Sequence, residues 1–378
     1  MQGKKRIAFV ANTSWSIYKF RLPIIKELLE SGFEVYVLAP RDQYTRYFEH
    51  LPGLHFIALR HFQNKKVSPW QGLLLYIELK KAYRHTRPHL IFHYTIKANI
   101  FGTMAAGKRY PSVSVITGLG YAFMEDSLIQ KLARFLYKFS LRTAREVWFL
   151  NHDDLQLFTR NHLVEAGKTF VLPGEGIDTQ AFYPAPYQPA NKPVTFLMIG
   201  RLIKYKGIYE LVEAVRLLKQ KGLPIQCNIL GKFDAAIPGA VQKKELDEWI
   251  AGKLINWLGE TDNVIPYIAA ADCVVLPSYS EGMPLSLLEG ASMCKALITT
   301  DTAGCRELVT ENSNGFLCAV KNAQQLAGKM EAYFHLSTEQ KTAMGLAARE
   351  KIMGRYGKKV ILDIYHKKIQ EMVGSSKW

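Results

Sequence analysis

Glu281 and Glu289 frame the stretch best suited to chemistry, Pro277-Ser-Tyr-Ser-Glu-Gly-Met-Pro-Leu-Ser-Leu-Leu-Glu-Gly290. The apolar run Asp272-Cys-Val-Val-Leu-Pro277 before it reads as a buried strand, and Ala291 to Ile298 reads as a helix end leading into another strand. Glu281 is therefore expected in a strand-to-helix turn. Gly282 lets that turn bend, and Pro284 suits the first turn of a helix, where its missing N–H would be unpaired anyway. Leu285, Leu287 and Leu288 supply the face that packs on a sheet, and Glu289 lies roughly 7–8 Å up the helix at ~1.5 Å per residue. Two carboxylates flanking the N–H groups of a helix start suit a ligand with both phosphate and hydroxyl groups, as in a nucleotide-sugar. The same spacing also fits a helix with a charged start and one surface Glu.

The elements that must position these groups come from an alternation of short apolar runs and helical patterns, which argues for parallel sheets wrapped by helices. In the first half the expected strands are Ile7–Val10, Glu34–Leu38, His55–Leu59, Leu90–His93, Ser112–Ile116 and Glu146–Leu150. Phe20–Leu28 reads as a helix. The loop Asn12–Tyr18 holds no glycine and is no dinucleotide fingerprint. Lys97 and Asn99 follow the fourth of these strands, at the edge where open parallel sheets bind ligands. His93 reads as a strand-end histidine. In Thr117-Gly-Leu-Gly-Tyr-Ala-Phe123, Gly118 and Gly120 let a backbone approach a ligand closely. Pro184, Pro186, Pro189 and Pro193 then punctuate an interdomain linker, and Thr195–Ile199 restarts the alternation.

The chain's 378 residues suffice for two separate cores, and 48% hydrophobic with 22% charged residues is ordinary for a globular protein. No apolar run approaches a membrane span and no signal peptide opens the chain, so a cytoplasmic protein is expected. The five cysteines (Cys227, Cys273, Cys294, Cys305, Cys318) pair in no metal or disulfide spacing. The net charge of +16 is uneven: residues 1–180 hold 25 Lys/Arg and 14 Asp/Glu (+11), leaving 24 and 19 (+5) for the remainder. That asymmetry suggests an anionic partner for the first half.

One segment combines that charge with apolar residues. Read as a helix over 128–147, it carries Lys131, Arg134, Lys138, Arg142 and Arg145 in one stripe beside an apolar sector of Leu128, Leu132, Phe135, Leu136 and Phe139. This suits a helix lying on an anionic membrane surface. An ordinary amphipathic helix with its apolar side on its own sheet fits as well. Lys80 to Arg87 repeats the pattern more weakly.

The Glu-x7-Glu pattern in Ser-Glu-Gly-Met-Pro-Leu-Ser-Leu-Leu-Glu resembles the signature of retaining family 4 glycosyltransferases. Their GT-B architecture places two Rossmann-like parallel-sheet domains around a central cleft. Gly200-Arg-Leu-Ile-Lys-Tyr-Lys-Gly207 matches a second motif, and Gly176-Ile-Asp-Thr-Gln-Ala-Phe182 resembles the end of the family's first domain. The resemblance implies an N-terminal acceptor domain over 1–180 onto which a final helix, about 358–374, packs back. A linker over 181–193 and a nucleotide-sugar donor domain over 194–357 complete it.

By the same resemblance Glu281, Arg201 and Lys206 are catalytic, with the two cations stabilising leaving-group charge. Glu289 binds ribose hydroxyls, and Gly282, Met283, Pro284, Leu285, Gly200 and Gly231 complete the donor site. Thr117, Gly118, Gly120, Lys97 and Arg21 are acceptor-side candidates. Two departures stand out: no glycine pair follows the first strand, and no histidine occupies the Thr117–Gly118 position.

The wording of Ser16-Ile-Tyr-Lys-Phe-Arg-Leu-Pro and Thr117-Gly-Leu-Gly is closest to the branch acting on polyprenyl-diphosphate sugars. This implies a UDP-sugar donor (UDP-N-acetylhexosamine such as UDP-GalNAc first), a lipid-linked saccharide acceptor, and work at the inner face of the plasma membrane. Neither metal, cofactor nor nucleic acid is expected. The competing expectations are a nucleotide-sugar epimerase or hydrolase of the same fold, a membrane- or nucleic-acid-binding protein without catalysis, and an inactive partner of a transferase.

Overall fold

Short runs of two to six residues become the strands of two all-parallel sheets in a computed structural model, which describes residues 4–62, 69–119, 128–184 and 193–374. The seven-stranded sheet comprises β1 (Arg6–Val10), β2 (Glu34–Ala39), β3 (Leu54–Ala58), β4 (Leu90–Tyr94), β5 (Ser112–Ile116), β6 (Glu146–Phe149) and β7 (Thr169–Val171), in the order β3-β2-β1-β4-β5-β6-β7. The six-stranded sheet comprises β8 (Val194–Ile199), β9 (Ile225–Leu230), β10 (Asn256–Trp257), β11 (Cys273–Leu276), β12 (Ala296–Thr300) and β13 (Gly315–Cys318), in the order β10-β9-β8-β11-β12-β13. Central strands such as β4, β5 and β12 are buried along their full length. Burial on both faces removes the need for alternation, and the polar residues in them (His93, Ser112, Ser114, Thr299, Thr300) are themselves buried. In each sheet the direction of winding reverses once, between β1 and β4 and between β8 and β11. Loops leaving the carboxyl ends of those pairs diverge and open a crevice.

The chain forms two units, Met1–Glu175 with Lys359–Trp378, and Gly176–Lys358. A division near residue 180 was expected; the crossing falls earlier because Ile177 is already tied to the second unit. Its N–H donates to the Tyr356 carbonyl (2.9 Å), and the Lys358 N–H donates back to the Ile177 carbonyl (2.9 Å). Phe182, placed in the linker, packs against the second unit's core, and 185–192 lie outside the described residues.

The last helix, Lys358–Val373, lies on the first unit. Tyr365 is buried among the rings of Phe92 (5.5 Å) and Trp148 (5.2 Å) and shares a 3.1 Å hydrogen bond with the Tyr94 hydroxyl. Lys368 pairs with Glu146 at 3.1 Å. These contacts give the helix an apolar stripe and a polar tether, so it belongs to a unit whose other residues end at Glu175.

The basic helix expected over 128–147 is shorter. It runs Leu128–Ser140, tightens into a 3-10 turn over Leu141–Thr143, and the chain is extended at Ala144. The Thr143 hydroxyl bonds back to the Ser140 carbonyl (3.0 Å) and that of Ser140 to the Tyr137 carbonyl (3.2 Å), offering the backbone an alternative to the helical ladder. Arg145 already donates its N–H to Ser112 at the sheet (2.8 Å), so Arg142 and Arg145 leave the helical stripe.

Candidate functional site

Both sequence motifs of the second unit emerge at the point where its sheet reverses. Gly200, Arg201 and Lys206 follow β8, and Ser278 to Glu281 follow β11, the strand beside it. There the Lys206 ammonium pairs with the Glu281 carboxylate, their side chains 21% and 12% exposed. The Ser278 hydroxyl donates to the same carboxylate at 2.6 Å. Ser278 is held in turn by Thr300, whose hydroxyl bonds its carbonyl. The Tyr279 N–H donates to the Tyr205 carbonyl (3.0 Å), lacing the two loops together, and the Tyr279 hydroxyl donates to Glu210 (2.7 Å). Arg201 is exposed, and among the described residues no acidic side chain pairs with it.

Two glycines make this approach possible. Gly207 ends the β8 loop at φ +73°, and a Cβ there would lie 2.0 Å from the Pro277 carbonyl oxygen. At Gly231, after β9, a Cβ would lie 1.8 Å from the Gly200 carbonyl oxygen. Backbones meet at these positions with no room for a side chain. Gly231 is fixed further by its N–H to the Gly259 carbonyl (2.7 Å) and by the Trp257 indole donating to its own carbonyl (3.0 Å).

The helix after Glu281 begins at Leu285, with Pro284 as its extended cap residue and not its first turn. No side chain caps this end, and a helix start carries partial positive charge and unpaired N–H groups. Glu289, in the second turn, is only 3% exposed, which excludes the plain surface glutamate that the spacing allowed. Gly282 and Pro284 are buried while Met283 and Leu285 are half-buried. Cations, an uncapped helix start and a buried carboxylate thus all follow the adjacent strands β8 and β11, groups whose chemistry suits a diphosphate and hydroxyl groups.

The first unit gathers fewer of its candidates. Lys97 follows β4, while Thr117 and Gly118 (φ +130°) follow its neighbour β5, so their loops leave adjacent strand ends. Burial lowers the Lys97 pKa. Gly120 lies outside the described residues. Arg21 does not reach toward a ligand: it is buried, pairs with Glu175, and stacks on the Tyr94 ring at 4.0 Å. The helix Ser14–Glu30 turns this position inward, so the expected phosphate contact from Arg21 is corrected to an internal ion pair.

His93 is fully buried between the Tyr83 hydroxyl (2.9 Å) and the Thr103 hydroxyl (3.1 Å), and burial pushes its pKa down to about 3. It is a neutral core histidine. Sequence reasoning missed Ser278, although it lies in the motif itself, and Thr95, which holds a left-handed φ of 74° beside Lys97 with a buried, unpartnered hydroxyl. Nothing local marks Thr95. Among the described residues no group of three or more His, Cys, Asp or Glu side chains is placed to hold a metal ion, and no helix is long and apolar enough to cross a membrane.

Comparison with known proteins shows what the chain resembles. A family described as glycosyl transferases group 1 matches residues 180–351, and glycosyl transferase 4-like matches residues 6–151. The N,N'-diacetylbacillosaminyl-diphospho-undecaprenol alpha-1,3-N-acetylgalactosaminyltransferase of Campylobacter jejuni is 29% identical over 359 residues, 90% of this chain and 92% of that one. The UDP-Gal:alpha-D-GlcNAc-diphosphoundecaprenol alpha-1,3-galactosyltransferase of Escherichia coli is 24% identical over 266 residues, 67% of this chain and 68% of that one. The crystal structure of Anabaena HepE in complex with UDP-glucose superposes with a TM-score of 0.78 at 20% identity, covering 97% of this chain and 99% of that one.

Proposed function

The chain belongs to the family 4-like glycosyltransferases of the GT-B architecture, and on that premise we propose that it moves an N-acetylhexosamine, GalNAc first, from a UDP-sugar to a polyprenyl-diphosphate-linked saccharide with retention of configuration. The observation that carries this reading is the pairing of Lys206 with Glu281 at the reversal of the second sheet, beside an uncapped helix start. The donor diphosphate lies on the backbone N–H groups of Gly282, Met283 and Leu285, with Arg201 and Lys206 as its cations. Charge that grows on the leaving phosphate is taken up by groups already in place, and no metal is called on. Glu281 contacts the hexose and stabilises the oxocarbenium-like transition state, and Glu289 holds ribose hydroxyls. Gly200 and Gly231 let the backbone close on the nucleotide.

The acceptor belongs to the first unit, through the loops carrying Lys97, Thr117, Gly118 and Gly120. A lipid-linked acceptor also accounts for the charge excess of residues 1–180. The relatives from Campylobacter jejuni and Escherichia coli are named for such acceptors. The protein works peripherally at the inner face of the plasma membrane, with the helix Leu128–Ser140 on the anionic surface.

The test is a thermal-shift panel of UDP, GDP and ADP sugars on wild type and Glu289→Ala, followed by transfer to a diphosphate-linked saccharide. A ligand bound by the folded state alone raises the midpoint. The expected result is a shift with a UDP-sugar that weakens in the variant. No shift with any sugar nucleotide would remove the donor assignment, and release of free sugar without transfer would favour a hydrolase.

A further inference from the structure

Aromatic side chains gather where the strands β1 and β2 of the first unit end. Trp15, Tyr18 and Phe20 lie at the start of the helix Ser14–Glu30, which follows β1; Tyr44 and Tyr47 lie in the loop and 3-10 turn that follow β2. Tyr18 stacks on Tyr47 with ring centroids 4.2 Å apart and on Tyr44 at 5.3 Å, and Trp15 meets Phe20 edge to face at 5.6 Å. Three positions apart on a helix, Trp15 and Tyr18 are neighbours on its surface. Trp15 and Tyr47 stay 41% and 40% exposed. Folding thus orders these rings without burying them, which marks a binding surface.

The frame under the rings is tied from both loops. One oxygen of Asp42 accepts the Trp15 N–H (3.1 Å) and the other accepts the Tyr44 N–H (2.8 Å). The Asp42 N–H donates to the Thr45 hydroxyl (3.1 Å), and the Ser14 hydroxyl donates to the Pro40 carbonyl (2.7 Å). Side chains carried on such a frame lose little freedom when a ligand binds.

Charge decides what the surface takes. A helix start at the carboxyl edge of an open parallel sheet is a ready seat for phosphate. Here that seat is filled: Asp42 holds the Trp15 N–H, and the Thr13 hydroxyl accepts that of Ser16 (3.2 Å). The carboxylate would also repel an anion. The cations beside it are engaged. Arg46 lies over the Tyr47 ring (5.0 Å) and donates to its hydroxyl (3.2 Å), and Arg41 pairs with Glu49 (2.9 Å). What remains suits a neutral ligand with C–H faces and hydroxyl edges, which is a sugar ring. Its C–H groups, slightly positive, sit against the electron-rich face of an aromatic ring. Tyr47, accepting from Arg46, keeps its O–H to donate, and the Asp42 oxygens keep lone pairs for hydroxyl groups.

We infer that Trp15, Tyr47 and Asp42 form a saccharide subsite that holds a sugar ring of the acceptor, apart from the loops that carry Lys97 and Thr117. Only β1 separates β2 from β4, so these loops leave strands two spacings apart, roughly 10 Å. A diphosphate at Lys97 and a sugar ring at Trp15 thus fit one short lipid-linked saccharide. This rests on the reading of a saccharide acceptor and adds which part of it the first two loops recognise.

The test uses the full chain and a neutral probe, the methyl glycoside of an N-acetylhexosamine disaccharide, in saturation-transfer NMR. A transfer assay uses the same disaccharide on a diphosphate with a short alkyl chain. The variants are Trp15→Ala, Trp15→Tyr and Tyr47→Phe, all at exposed positions, and an unchanged circular-dichroism melt reports an intact fold. Wild type is expected to saturate the ring protons of the probe, Trp15→Ala to lose that signal and Trp15→Tyr to keep it. In transfer, Trp15→Ala should raise the acceptor KM about tenfold and leave the UDP-sugar KM unmoved, with a smaller acceptor effect from Tyr47→Phe. No signal in wild type, an undiminished signal in Trp15→Ala, or a KM rise for the UDP-sugar in place of the acceptor would overturn the inference. Displacement of the probe by inorganic pyrophosphate would place it at a phosphate site and do the same. Active transfer with a wild-type acceptor KM in Trp15→Ala would remove the subsite and leave the enzyme reading intact. Probe binding that depends on Trp15 in a protein that transfers nothing would do the reverse.

Discussion

The Lys206 ammonium pairs with the Glu281 carboxylate across 75 positions of sequence, and the Ser278 hydroxyl shares the same oxygen. Under the proposed assignment, the cation for phosphate is thus held by the carboxylate for the sugar. Replacing Glu281 by Gln removes that competitor, so UDP should bind at least as tightly while transfer slows by about 10²–10³. Lys206→Ala should slow transfer by a similar factor and weaken UDP binding as well. Titration calorimetry with UDP and a transfer assay separate the two; a wild-type transfer rate in Glu281→Gln would sink the assignment.

Gly207 and Gly222 offer a matched comparison. Both hold left-handed backbones, φ +73° and +76°, but only at Gly207 would a Cβ collide, 2.0 Å from the Pro277 carbonyl oxygen; at Gly222 nothing lies within 4 Å. Gly222→Ala should cost about 1 kcal/mol for the left-handed strain alone. Gly207→Ala should cost about 3 kcal/mol or more, since the loops must separate. Melting of the second unit measures both, and equal losses would mean that the close approach carries no energy.

Arg21 and Glu175 form a buried pair, with side chains 4% and 11% exposed. Arg21→Met strands the carboxylate and should destabilise the first unit by about 3–5 kcal/mol, while Arg21→Met/Glu175→Leu should recover most of the loss. Burial raises the Glu175 pKa, and Arg21 pulls it back down. Without Arg21 the rise is larger. A carboxyl whose folded pKa is raised contributes stability below its ordinary value of 4.5 and loses it as pH climbs through the folded value. The deficit of Arg21→Met should therefore be smallest in acid and grow toward neutrality, which denaturant melts at several pH values would reveal.

His93 behaves oppositely. Its pKa falls from 6.5 to about 3 because burial disfavours the cation. The unfolded chain takes up a proton between those values and the folded chain does not, so stability is present above pH 6.5 and declines as pH falls through that window. The slope is about 1.4 kcal/mol per pH unit. His93→Gln should flatten the stability profile of the first unit across this range. An unchanged slope would show that other groups govern it.

Much of the fold was legible because the central strands are buried on both faces. Leu90–Tyr94 reads off as a largely apolar run, and Ser112–Ile116 as a short β-branched stretch bounded by Pro111 and Gly118. Two strands escaped notice, Thr169–Val171 and Gly315–Cys318. Both lie at sheet edges, and the first is only half-buried along its three residues, so neither needs the continuous apolar run that announces a central strand. The two loops that carry Arg201, Lys206 and Glu281 were legible as motifs, since glycine turns and a helix start are local features. Ser278 was not, because what matters there is which group lies opposite, and Thr95 was not, because its left-handed backbone is set by the fold around it.

Sequence by itself determined the alternation of strands and helices, the two glycine-bounded loops, and the position of Glu281 ahead of a helix. Each follows from residues within a few positions of one another, through backbone sterics and hydrophobic period. Tertiary structure decided that Lys206 meets Glu281, that Glu289 is buried, and that Arg21 turns to Glu175. It also decided which apolar side of Leu128–Ser140 faces its own core. A helix wheel records an apolar sector beside a basic stripe; only packing against Phe158 commits Tyr137 to the interior, while Phe135 and Phe139 stay outside. Burial and long-range pairing depend on the partner across the fold, and no local window of sequence contains that partner.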